Sequence, residues 1–204
     1  MYEIDTEDRW ADLCPLRRRY GGRATGGGWL TFARAVAAKV GRGLSEPLNL
    51  YKVAVEGDRA DPPGYRVRSA PFGPSIGAER LGGTVYELDP GESVCPYHYE
   101  GHRKEWLLVL TGTPTLRDPE GEHELAPGDP VCFLKGPGGA HKVTNRSDTV
   151  VRILMLSTIP ETRIAGSNDP ISICVYPDSD KVGVWPPGKR LRLTDTVDYW
   201  DGEI

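Results

Sequence analysis

Four side chains could share one chemistry: His98, Glu100, Glu105 and His141. Only four histidines occur in the chain, and two of them fall in Tyr97-His98-Tyr99-Glu100-Gly101-His102-Arg103-Lys104-Glu105-Trp106. In an extended strand, residues two apart point to the same face. His98 and Glu100 can therefore present a nitrogen and an oxygen to one ion. A turn around Gly101 would let Glu105 re-enter from the adjoining strand. His141 follows a glycine-rich loop and opens another strand, which an antiparallel arrangement could set opposite the first group. Imidazole with carboxylate suits Fe(II), Mn(II), Zn(II) or Ni(II). The spacing alone also admits another reading. His98 could hydrogen-bond within a wet pocket, while Glu100 and Glu105 pair with Arg103 or Lys104. His102 either faces solvent on the turn or replaces a ligand where the strand bends. His123, between Glu122 and Glu124 beside a hairpin turn, belongs on the surface.

The elements that must position these groups read as short strands. Thr84 to Leu88 ends at Asp89-Pro90-Gly91. Trp106 to Leu110 is nearly all apolar, as a central strand covered on both faces would be. Thr115 to Arg117 and Glu122 to Leu125 flank the turn Asp118-Pro119-Glu120-Gly121. Val131 to Leu134, Val150 to Ser157, Ile171 to Val175 and Lys181 to Val184 follow, and Leu50 to Val55 precedes them. Turn residues separate these runs throughout, with 25 glycines and 18 prolines in the chain. Many short strands at such spacing signal an all-β sandwich or barrel. Closure would remove exposed strand edges. Parallel βαβ alternation is missing, which argues against a doubly wound fold. Thr31 to Gly41 differs: Phe32, Val36 and Val40 recur every four residues, between a Thr31 cap and a Gly41 stop, which predicts one short helix.

Composition narrows the class. The chain has 204 residues and a formal charge of −4, which suits one domain. No basic run interleaves with aromatics, so no nucleic-acid partner is expected. No apolar run is long enough to cross a membrane, and no leader pattern opens the chain, so a cytoplasmic protein is expected. The cysteines at 14, 95, 132 and 174 form no CxxC pair. Cys95, Cys132 and Cys174 lie in candidate strands among apolar residues and read as buried free thiols. Ile153 and Met155 share one strand face, Leu154 and Leu156 the other. One pair would fill the interior and the other would meet a second sheet or a subunit. Tyr97, Tyr99 and Trp106 read as packing residues, and Arg117 as a surface cation.

The stretch from Gly91 to Asn145 resembles the two motifs of the cupin superfamily. Gly91, His98, Glu100, Glu105 and Gly112 are similar to the first motif, with a slightly longer gap before His98. Gly128-Asp129, a turn through Pro137 and Gly139, then His141 and Asn145 are similar to the second, with Leu134 where a proline is common. The span from Pro47 to Val184 resembles an uncharacterised bacterial group of small single-domain cupins. It does so through Pro63-Gly64-Tyr65, Gly77 to Gly82, Cys95 to Glu100 and Tyr176-Pro177-Asp178-Ser179. The resemblance implies a cupin-type double-stranded β-helix, a jelly-roll barrel, over residues 47–185. A short N-terminal helical appendage would occupy residues 1–46 and a tail residues 186–204. It also implies a divalent metal held by His98, Glu105 and His141, with Glu100 as a fourth ligand or a general base. Glu100 stands where cupins usually carry a second histidine, and that bacterial group shares the substitution.

The function implied is a metal-binding cupin acting on a small organic molecule as a homodimer. Oxygenation on Fe(II) is one reading, with Fe, Mn or Zn as the ion expected if one is bound. A metal-dependent isomerase or lyase with Glu100 as base is another. Non-catalytic ligand binding is the third, since fold alone does not fix reaction.

Overall fold

The computed structural model describes residues 47–57, 60–159, 171–185 and 188–203. The helix expected near residues 31–40, with the arm that carries it, lies outside the described residues. The described chain is all-β, with three short 3₁₀ turns and no α-helix. Its strands are β1 (Glu56–Gly57), β2 (Arg68–Pro71), β3 (Leu81–Leu88), β4 (Tyr99–Glu100), β5 (Glu105–Thr111), β6 (Thr115–Asp118) and β7 (Gly121–Glu124). β8 (Pro130–Phe133), β9 (Lys142–Thr144), β10 (Val151–Thr158), β11 (Ser172–Tyr176), β12 (Lys181–Trp185) and β13 (Lys189–Arg192) complete the set.

The backbone of the fold is a six-stranded sheet in the order β1-β2-β3-β10-β5-β8. β10 lies at its centre, antiparallel to β3 from Val151↔Leu88 to Thr158↔Leu81 and to β5 on its other side. Side chains alternate across a sheet, so Val151, Ile153 and Met155 face inward with Leu107 and Val109, while Leu154 and Leu156 face outward with Leu108 and Leu110. Both faces are apolar, which explains why the sequence of β5 and β10 runs nearly without polar interruption.

The inward face packs on Val94, Leu116 and Val143 of the opposite layer and makes the main core. The outward face is covered by Leu48, Leu50, Val53 and Val55. That covering segment was expected to be a strand from Leu50 to Val55. Its carbonyls are instead taken by a side chain: Arg152 Nε donates to the Leu50 carbonyl at 2.9 Å and Nη2 to that of Val53 at 2.6 Å. Glu87 pairs with the same guanidinium. A strand ladder and this clamp compete for the same oxygens, and only Glu56–Gly57 pairs as a strand.

The opposite layer holds a four-stranded sheet, β13-β12-β11-β4, and a three-stranded sheet, β7-β6-β9. Two isolated backbone bridges, His98↔His141 and Ser93↔Thr144, lie beside β4 and β9. The closed barrel expected from the strand count is therefore not formed; the ladder is divided among three sheets. β4 and β9 have only two and three residues, too few for a continuous ladder beside the bends that flank them. The free edges β1, β7, β8 and β13 are short, which limits edge-to-edge pairing.

Two outward residues differ from expectation. Cys132 is exposed and Trp106 is 53% exposed. They are register partners on the outward face, beyond the cluster that the 48–55 segment covers. Cys95 sits in a bend rather than a strand and is half-buried; Cys174 is buried as expected, and all three thiols are free. Asn145 ties the end of β9 to the Leu88 and Thr149 carbonyls, and Asp129 accepts from the Ala126 amide in its turn. No helix among the described residues is long and apolar enough to cross a membrane.

Candidate metal centre

His98 and His141 are brought together by their own backbones. The His98 amide donates to the His141 carbonyl at 3.1 Å and the His141 amide returns to the His98 carbonyl at 2.8 Å. Such a reciprocal antiparallel pair places both side chains on one face as neighbours, and the ring centroids lie 4.6 Å apart. Glu105 arrives from the other layer as the first residue of β5. Its carboxylate stands between the two rings: Oε2 is 3.7 Å from His98 Nε2 and 3.6 Å from His141 Nε2. Phe133, the register partner of Glu105, stacks on His141 with ring centroids 3.6 Å apart.

The far nitrogens fix the near ones. His98 Nδ1 lies 3.0 Å from the Pro96 carbonyl and 3.3 Å from Cys95 Sγ; His141 Nδ1 lies 2.9 Å from the Gly139 carbonyl. A carbonyl only accepts, so each Nδ1 carries the proton, and each neutral ring then keeps its lone pair on Nε2, toward Glu105. Gly139 is required at that turn, because a Cβ there would stand 1.8 Å from the Leu134 carbonyl oxygen.

The donor set fits a divalent ion. His141 Nε2 and Glu105 Oε2 are buried without a hydrogen-bond partner, and separations of 3.6–3.7 Å are too long for hydrogen bonds. Unsatisfied buried polar atoms are costly. Ligand atoms about 2.0–2.2 Å from one ion stand roughly 3–3.5 Å from each other, close to the spacing found. The ligand atoms of His98, Glu105 and His141 all lie within 4.8 Å of one another.

Glu100 shares the cavity but not this trio. It groups instead with His98 and Cys174, because Glu100 pairs with Cys174 across β4 and β11. Ser172 Oγ donates to Glu100 Oε2 at 3.1 Å. His102 lies in neither group among the described residues. His123 is on the surface, 3.2 Å from Asp118. Arg117 is held by both carboxylate oxygens of Asp178, at 2.6 and 3.0 Å, and lies over the half-buried Tyr97 ring.

The ionisable groups are forced apart. Burial and the neighbouring His98 charge push His141 down to about 4. Burial works against a proton on His98 as well, yet the Cys95 sulfur and the Glu105 carboxylate outweigh it and hold His98 well above the usual imidazole range. Burial would raise Glu105, but the facing imidazoles win and keep it below the usual carboxylate range. Burial and then the Glu105 charge raise Glu100, against Arg103, His98 and Ser172. Burial pushes the Cys174 thiol up to about 12. Beyond the proton each ring keeps on Nδ1, the metal-free pair thus takes up one more, on His98, and His141 stays neutral.

Around the trio lies a cavity of about 390 Å³, within the range of small-molecule sites. Val94, Val143 and Met155 give it apolar walls, and Tyr65, Tyr176, Lys181 and Arg190 also line it. Sequence reasoning did not place those last four at the site. Only the Ser172-x-Cys174-x-Tyr176 alternation hints that one face of β11 turns inward.

Residues 84–157 match the family model of the cupin domain. Those residues form a cupin domain. Solved cupin structures share its fold. One is described as a sugar phosphate isomerase from a cupin superfamily, from Silicibacter pomeroyi. It is 24% identical over 76% of this chain and 98% of its own, with a TM-score of 0.61. Another, from Acidithiobacillus ferrooxidans and provisionally described as a sugar phosphate isomerase, is 21% identical over 76% of this chain and 96% of its own, with a TM-score of 0.63. At these identities the likeness is one of fold. No curated protein matches the chain. His98, Glu105 and His141 all lie within the matched residues.

Proposed function

We propose that this cupin is a divalent-metal-dependent enzyme that moves a proton on a small organic substrate, as an isomerase or lyase does. One observation carries the reading: the cavity separates three mutually facing donor atoms from a fourth ionisable group, Glu100, that stands beside them. His98, Glu105 and His141 would hold the ion, with Fe, Mn or Zn suited to imidazole and carboxylate. When bound, such an ion supplies a Lewis acid that polarises a substrate oxygen.

The proton work falls to Glu100. Its raised proton affinity moves it toward the range in which a carboxyl group both takes and returns a proton. Ser172 orients one of its oxygens. The Val94, Val143 and Met155 walls keep water from competing for that proton. Oxygenation would use the same trio with open positions, but it leaves Glu100 without a task.

Glu100→Gln tests the reading. A panel of sugar phosphates and hydroxy acids in D₂O, followed by NMR, reports proton exchange at carbon; sugar phosphates enter because two proteins of similar fold are so described. The variant is expected to keep its metal and lose exchange by about 100-fold or more, as for a lost general base. Loss of metal would make Glu100 a ligand. Ligand binding without exchange in the unaltered protein would favour a non-catalytic cupin.

A further inference from the structure

The cavity carries a second chemistry on the wall opposite β5. Across the four-stranded sheet, Glu100, Cys174, Gly183 and Arg190 are successive register partners. Direct partners in an antiparallel sheet point to the same face, so Arg190 shares the inward row of Glu100. One row along, Tyr176 is paired with Lys181. Both cations line the cavity that holds His98, Glu105 and His141. They are less buried than the histidines and form its rim.

These two cations differ from the paired arginines of the protein. Arg68, Arg117, Arg146 and Arg152 each meet a carboxylate. Among the described residues Lys181 and Arg190 meet none. Their recorded contacts are aromatic: Lys181 Nζ stands 5.7 Å from the Tyr176 ring centroid and Arg190 Cζ 5.5 Å from that of Trp185. An aromatic face steadies a cation without neutralising it. Trp185 in turn rests on Gly183, where a Cβ would meet the indole at 2.6 Å. Tyr176 lies between the two chemistries, its ring centroid 6.0 Å from that of His98. The Lys181 ammonium and the His98 imidazole thus neighbour the same ring.

We infer that Lys181 and Arg190 form an anion subsite at the cavity rim that takes a phosphate or carboxylate group of the substrate. The subsite rests on reading this cavity as the substrate site. Arg190 offers a planar fork of donors and Lys181 a compact charge, a pairing suited to either group. Trp185 and Tyr176 hold both cations toward the cavity, and the reacting end of the substrate would reach inward to Glu100 and the trio.

Calorimetric titration of the full-length protein with glycerol 3-phosphate, glycerate and glycerol tests this. The first two probes distinguish phosphate from carboxylate, and glycerol is the neutral control. At least one anionic probe is expected to bind, and glycerol not to. Lys181→Met/Arg190→Met should weaken anion binding on the order of 10- to 100-fold, the range for lost hydrogen bonds to a charged group, with metal content unchanged. Gly183→Ala keeps every charge yet displaces Trp185, so it should shift tryptophan emission and weaken the same probe. Should the double variant fail to fold by circular dichroism, Lys181→Met alone decides. Equal affinity in the parent and the folded variant, or no binding of either anion to the parent, overturns the subsite. If the parent holds no metal but still binds the anion through Lys181 and Arg190, the metal-dependent reading falls and the subsite stands.

Discussion

Two ends of one interior are built by the same strands and hold opposite chemistry. β5 presents Glu105 to two imidazoles and, two and four residues later on the same face, sets Leu107 and Val109 into the apolar core. The stretch that starts with His141 does the same, since Val143 follows it into that core. Alternation fixes which face a side chain takes; residue type alone decides whether that end becomes core or site. The apolar end rests on the eight-residue strands β3 and β10. The polar end rests on the short β4 and β9, tied by paired backbone bonds between His98 and His141. Burial is favourable at the first end, and at the second it leaves polar atoms that need a partner.

The contrast is broken most severely at the apolar end. Leu107→Ala removes a fully buried side chain and should lower stability by about 2–5 kcal/mol, read by denaturant unfolding, while metal content per folded chain stays unchanged. His141→Ala should act in the opposite way. It is expected to weaken metal binding by at least the ~10- to 100-fold that even an outer-shell partner commands, with a far smaller effect on the unfolding of metal-free protein. Similar unfolding losses in both variants would erase the distinction between the two ends.

How far this contrast could be read in the residues differs by region. β5 and β10 were legible because both their faces are apolar. His98, Glu105 and His141 were legible from motif spacing. Trp106 and Cys132 were not, because alternation cannot say where the cover of an outward face stops. The Leu50 to Val55 segment has strand-like residues, but Arg152, about a hundred positions away, takes its carbonyls. Tyr176, Lys181 and Arg190 reach the cavity, and Ser172 and Cys174 reach Glu100, only through the register of β11 with β4, which joins segments some seventy residues apart. No local pattern carries that pairing.

A pH series sharpens the contrast further, in metal-free protein. His141 falls to about 4 when folded, from 6.5. Below pH 6.5 the unfolded chain takes up a proton that the folded chain refuses, so stability should fall between pH 6.5 and 4, by on the order of 1–3 kcal/mol. His98 is raised when folded. Its contribution is complete below pH 6.5 and is lost as pH rises through its folded value. Glu105 is lowered, so its contribution is present above pH 4.5 and lost as pH falls through its folded value. Together these groups place the optimum near pH 6.5. Glu100, being raised, acts oppositely above pH 4.5, and Glu100→Gln removes that contribution. A profile that rises steadily from pH 6.5 to 9 would contradict the His98 assignment. Leu107→Ala should shift the whole curve down without moving its optimum.

The smallest effect belongs to the surface. Arg117→Met breaks the exposed pair with Asp178 and should cost about 1 kcal/mol or less, diminishing with added salt. A larger loss in thermal unfolding would mean that the Tyr97 contact, not the ion pair, holds that corner.

Elemental analysis of purified protein, before and after reconstitution with Fe, Mn or Zn, tests the centre most directly when run beside Glu105→Gln and His141→Ala. Near-stoichiometric metal in the parent, and little in either folded variant, is the predicted result. A parent chain that holds no ion after reconstitution, or variants that hold as much as the parent, would contradict a shared site between these three side chains.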